Sequence, residues 1–126
     1  MDDLLDSPTV PIPVQRWVIG GDEPLTILFS GGEVVSGFAV VIRDENGGSD
    51  AVWFLAYSNE IPGYIPSDEL LRNPTYAGGF DPDFPGIAAE SMAVYDHWAH
   101  FLRGGGGRDG VEQVYLAHLR NVVAGA

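Results

Sequence analysis

The chain has no cysteine and no lysine among its 126 residues, and only three histidines. Without cysteine there is no disulfide, no thiolate nucleophile and no cysteine-ligated zinc. Without lysine, all six basic residues are arginines, set against 18 acids for a net charge of −12. A surface of that sign repels phosphate backbones and argues against nucleic acid as a partner. It equally disfavours anionic membranes. No apolar run approaches the roughly 20 residues that span a bilayer. The acidic start, Met1 to Asp6, lacks the basic flank and apolar stretch of a secretory leader.

Apolar residues make up 45% of the chain, an ordinary share for a folded protein. The length suits one domain with a true core. Residues 1–12 read as an irregular lead-in, broken by Pro8 and Pro11, with Pro13 just beyond. Residues 13–126 read as a single α/β segment. Val14 to Ile19 and Leu25 to Phe29 are predicted strands. The Gly20-Gly21-Asp22-Glu23-Pro24 turn between them makes a hairpin. Ala51 to Tyr57 is nearly all apolar, as a strand buried on both faces would be.

Residues 34–43 carry two signals. Their valines and isoleucine favour a strand. Val34, Phe38, Val41 and Ile42 also fall on one helical face. Asp44 to Asp50 reads as a loop. Ser67 is placed to cap a short helix through Leu71, with Asp68 and Glu69 at its positive end. Residues 73–89 read as loop, Met92 to Tyr95 as a short strand, and Gly104 to Gly107 as a hinge. The last element is an amphipathic helix. Asp109 and Glu112 form its capping-box-like start, and Val111, Val114, Tyr115, His118, Leu119 and Val122 its apolar stripe. His118 is thereby expected in the core or at an interface, and Gly125 closes the helix.

Two residues stand out as carriers of chemistry. Glu33 follows Gly31-Gly32 at the end of an apolar strand, where glycines permit close approach of the backbone to a ligand or a neighbour. Tyr64 sits in a turn stiffened by Pro62 and Pro66. Read locally, the alternatives are a solvated turn acid and a tyrosine packed under a loop. His97 and His100 are spaced as neighbours on a helix but lack a fuller zinc motif. The acidic loops at 44–50 and 81–86 have the wrong register for an EF-hand.

Several short motifs in order go further. These are Gly32-Glu33, Ala56-Tyr57-Ser58-Asn59, Gly63-Tyr64-Ile65-Pro66-Ser67, Leu70-Leu71-Arg72 and Tyr76-Ala77-Gly78-Gly79. Together they resemble the later part of the catalytic domain of the neutral/alkaline non-lysosomal ceramidase family, across roughly residues 14–123. The resemblance implies a zinc-dependent amidohydrolase that cleaves the amide of ceramide or a related lipid amide. It implies zinc as cofactor, with Glu33 and Tyr64 as two of its ligands. The family's other two ligands are histidines from an earlier portion of its catalytic domain, which this chain does not contain. Substrate-binding residues are not identifiable, and Ala77 stands where the family usually has an acid.

The chemistry is coherent with that reading. Zinc lowers the pKa of a water from 15.7 toward about 7 and polarises the amide carbonyl. A tyrosine, of pKa about 10, ligates once the metal depresses that value. Two oxygen donors alone hold zinc weakly, since a catalytic zinc takes about three protein ligands. The expectation is therefore an incomplete centre, inactive alone, completed by a histidine-bearing partner chain or by self-association. The rival is a non-catalytic binding or interaction module, or a truncated remnant of the family. The fold expected is a mixed sheet of three to four strands, a helix after Glu33 implied by the resemblance, and the C-terminal amphipathic helix. Exposed apolar surface is expected where the family's missing portion packs. The family is often exported, and nothing in this chain marks a compartment.

Overall fold

The computed structural model describes residues 11–61, 63–72 and 107–126. Strands β1 (Val14–Ile19) and β2 (Leu25–Ser30) form the expected antiparallel hairpin, with Trp17 opposite Ile27. The chain then makes a two-residue strand, β3 (Glu33–Val34), and helix α1 (Ser36–Glu45). It returns as β4 (Val52–Leu55), parallel to β2. The mixed sheet therefore runs β1-β2-β4, with β2 at its centre. A parallel return of this kind needs a crossover, and α1 is that crossover. Strand β5 (Tyr64–Ile65) pairs with β3 in a separate parallel ladder. Two helices complete the described chain, α2 (Asp68–Arg72) and α3 (Val111–Val123). The α/β class, the helix after Glu33 and the C-terminal helix are as expected.

The core lies on one face of the sheet. Successive strand residues point to opposite faces. Leu28 and Val52 point toward Phe38 and Ile42 of α1 and toward Tyr115 and Leu119 of α3. Leu28, Ile42 and Leu119 are fully buried. Each such side chain contributes about 1.5–3 kcal/mol of transfer free energy. This packing resolves the double signal at 34–43. Phe38 and Ile42 have a sheet to cover, and burying them outweighs the weak β preference of the valines.

The same geometry corrects the reading of residues 51–57. Strand β4 is an edge strand, buried only on the helix side. Val52 is buried, whereas Trp53 and Leu55 are exposed on the other face. The apolar run thus has two sides of different fate.

Helix α3 starts one residue later than Asp109. Its N-cap is Gly110, whose N–H donates to Gln113 Oε1 at 3.0 Å. Glu112 is engaged elsewhere: its Oε2 accepts the N–H of Asp68 at 2.5 Å, and Gln113 donates to Asp68 Oδ2. The start of α3 thereby ties down the start of α2. Ser67 Oγ accepts the Leu70 N–H there, the cap read from the sequence. Val114 and His118 face solvent, so the stripe that packs is Tyr115 and Leu119 with the half-buried Val111, Leu116, Val122 and Val123. His118 is accordingly not a core residue. At the far end, Gly125 takes a φ of +88°. Its N–H reaches Val122 O and that of Ala126 reaches Asn121 O, which closes the helix.

Helix α1 runs through Asp44 and Glu45, two residues read as loop. Asn46 ends it and donates to Ile42 O at 2.7 Å. Arg120 of α3 grips Glu45 with two hydrogen bonds of 2.9 and 2.7 Å. This pair holds the Glu45 carboxyl below its ordinary pKa, chiefly through the hydrogen bond. The loop, strand and histidine pair expected between 73 and 103, and most of the lead-in and hinge, lie outside the described residues.

One buried polar pair lies within the core. Ser30 and Tyr115 are both buried, and their hydroxyls are hydrogen-bonded to each other. Burial pushes the Tyr115 phenol up to about 12, the Ser30 bond offsetting part of the effect. The unfolded phenol ionises near 10. The stabilisation is therefore intact below pH 10 and is lost as the pH climbs toward 12. Denaturant titrations across that window are expected to give a falling unfolding free energy. Tyr115→Phe flattens most of that fall; an unchanged pH slope in the variant contradicts the assignment.

Candidate functional site

The site begins where β2 ends. Past Ser30 the chain must leave the sheet, pass Pro13 on one side and residues 58–65 on the other, and enter β3. Gly31 and Gly32 make that passage possible. A Cβ on Gly31 would lie 3.0 Å from both Glu60 O and the Pro13 ring. Gly32 has a φ of +85°, and a Cβ there would lie 2.7 Å from Ile65 Cδ1. The glycine pair thus serves close approach to the protein's own backbone. Hydrogen bonds hold the crossing together. Gly31 N–H donates to Pro13 O, Gly32 N–H to Glu60 O and Glu33 N–H to Gly63 O, at 2.8–2.9 Å.

The outcome is a register. Glu33 on β3 is paired directly with Tyr64 on β5. Residues at matching positions on adjacent strands stand on the same face of the ladder. The carboxylate and the phenol singled out from sequence, thirty-one positions apart, therefore start from adjacent points. Both residues are half-buried, neither sealed in the core nor fully in solvent.

A second tyrosine lies near Glu33. The Glu33 carboxylate is the main reason the pKa of the Tyr57 phenol lies above the ordinary tyrosine value. Tyr57 reaches this position through an unusual backbone, with φ at +58°. Few non-glycine residues adopt the left-handed region, and a bulky one costs about 1 kcal/mol or more to hold there. The conformation is fixed by neighbours: Tyr57 N–H donates to Gly32 O at 3.0 Å and Ser58 N–H to Ser30 O at 2.9 Å. Asn59, at φ +69°, continues the turn. Tyr57 escaped the sequence reading because its side chain is aimed by a backbone state that its residue type does not announce. The one available signal was its place at the end of an apolar strand.

The arrangement offers a carboxylate near the Tyr57 phenol, with Tyr64 at the paired strand position. Such a set can accept a proton, bind a cation through oxygen, or orient a polar ligand. Among the described residues no group of three histidine, cysteine, aspartate or glutamate side chains stands together. His118, the one histidine among the described residues, lies exposed on α3 and belongs to the helix side of the sheet.

Because Gly32 carries both the positive φ and the closest approach, Gly32→Ala is expected to cost about 1–3 kcal/mol of stability. Gly37→Ala, at an open helical position, is the control and is expected to be neutral or stabilising. Equal melting temperatures for the two variants would remove the crossing from its assigned role. Comparison of the chain with protein-family models, curated proteins and solved structures found no match.

Proposed function

We propose that this chain supplies the oxygen-donor share of a zinc-dependent amidohydrolase centre of the ceramidase type. Its substrate is the amide of ceramide or a related lipid amide, and a histidine-bearing polypeptide completes the centre. The observation that carries the reading is the register that sets Glu33 beside Tyr64. Two residues that the resemblance assigns to one ion would be free to fall anywhere in an unrelated fold. Here they are strand neighbours.

Zinc in such a centre supplies a polarised amide carbonyl and a nucleophile at neutral pH. The chain's own residues supply charge and orientation. Glu33 brings the negative charge, with the Tyr57 phenol near its carboxylate. Tyr64 would bring its phenol oxygen as the second donor. The donor set fits zinc as far as it goes and falls short of the usual three protein ligands. The protein alone therefore binds zinc weakly and does not turn over ceramide.

A second reading is favoured by one observation. The exposed indoles of Trp17 and Trp53 stand on a sheet face without charged strand side chains, which suits a non-catalytic interaction module. Calorimetric zinc titration separates the two. Wild-type protein is expected to bind one zinc, with Glu33→Gln and Tyr64→Phe each weakening it roughly tenfold or more. Identical titrations for all three proteins favour the interaction module. Rapid cleavage of a fluorescent ceramide by the chain alone would instead show that the centre is complete.

A further inference from the structure

Among the described residues the sheet has one covered face and one open face. On the open face β1 contributes Gln15, Trp17 and Ile19, β2 contributes Leu25, Ile27 and Phe29, and β4 contributes Trp53 and Leu55. Trp17 is 56% exposed, Ile19 52%, Trp53 50% and Leu55 43%. The row Trp17, Ile27, Trp53 runs straight across the three strands, and Ile27 at its centre is buried. Trp17 also packs on Phe29, ring centroids 4.9 Å apart. Trp53 is anchored through Nε1–H to Ser49 O. The indoles are therefore fixed in place as part of a flat surface.

We propose that this face pairs two copies of the chain, sheet against sheet, about a two-fold axis. Three observations select a second copy as occupant. The first is charge. No ionisable side chain of the three strands projects onto this face, although the protein carries −12 overall. Acids stand at its two ends instead, Asp22 and Glu23 in the hairpin turn, and Glu33 and Glu60 beyond the opposite ends of the strands. An uncharged centre is self-complementary, whereas a basic partner would find nothing to pair with there.

The second is area. A fully buried aromatic side chain covers about 150–250 Å², so the half-exposed indoles and the aliphatic chains beside them offer roughly 500 Å² per copy. Two-fold pairing then buries about 1,000 Å², the lower limit for a specific interface. The third is geometry. Twisted sheets pack face to face at about 10 Å, with side chains interdigitating across an apolar layer, and a two-fold contact of one patch with itself closes the assembly. The pairing does not depend on metal at Glu33 and Tyr64.

Area at the lower limit and like charge on both rims make the dimer weak and salt-dependent. Sedimentation velocity on the full chain is expected to show mass rising with concentration from 13.5 kDa toward twice that value. The dissociation constant is expected in the micromolar range. Raising salt from about 0.1 M to 1 M shortens the screening length from ~10 Å to ~3 Å, so the dimer tightens. Trp17→Glu and Trp53→Glu are each expected to leave a folded monomer, and Val114→Glu, on the exposed side of α3, to dimerise as wild type. Should the glutamate variants fail to fold, the concentration-dependent blue shift of wild-type tryptophan fluorescence provides the independent readout. A monomer at every concentration overturns the proposal, as does a dimer indifferent to both tryptophan substitutions. Adsorption of a non-dimerising chain to zwitterionic phosphatidylcholine vesicles overturns it in favour of a lipid surface.

Discussion

The approach of two backbone segments at Gly31 and Gly32 sets the geometry of everything at that end of the molecule. A side chain on either residue would collide with Pro13, with the carbonyl of Glu60 or with Ile65. Only a bare backbone lets β2 pass between the start of β1 and the 58–65 turn. Once it passes, the amides of residues 31–33 are all used in succession. The register of β3 on β5 then follows, and with it the position of Glu33 beside Tyr64. The strained Tyr57 is part of the same crossing, since its amide bonds to Gly32 O. Strain at Tyr57 and the tight approach at Gly32 are thus paid for by one hydrogen-bond network.

That crossing shows where sequence reasoning reaches and where it stops. The hairpin was legible because its strands are short, apolar and separated by a glycine-rich turn. The final helix was legible because Tyr115 and Leu119 recur at helical spacing. The boundaries and partners were less so. Glu112 looked like a local capping acid and instead serves the amide of Asp68, forty-four residues away. No local pattern encodes a partner at that distance. Val114 and His118 fit the stripe by spacing and still face solvent.

The candidate site divides in the same way. Glycines before Glu33 and prolines around Tyr64 marked two stiff positions, but nothing local said that they meet. Their convergence came from resemblance, and the register of two short strands supports it. Tyr57 was invisible because its approach to Glu33 depends on a left-handed backbone set by distant contacts. The apolar run at 51–57 misled for a related reason. Composition reports that a strand is apolar on both sides and cannot report whether both sides are covered. Trp53 and Leu55 are apolar and exposed.

An exposed apolar face on so acidic a chain is a physical contradiction that has to be resolved by something. Net charge of −12 keeps copies apart at long range, while indoles and aliphatic chains on one flat surface draw them together on contact. Salt weakens the first and leaves the second, so the balance sits within reach of ordinary ionic conditions. Among the described residues the helices lie on one side of the sheet, and two-layer folds of this size bury only part of the surface their unfolded chains expose. A cover over Trp17 and Trp53 would add stability to the sheet as well as partners to it. The same β4 that carries Trp53 and Leu55 leads, two residues on, into Tyr57, the phenol near Glu33. Whatever closes the face therefore presses on the strand that aims the carboxylate, and assembly and site chemistry share one edge strand.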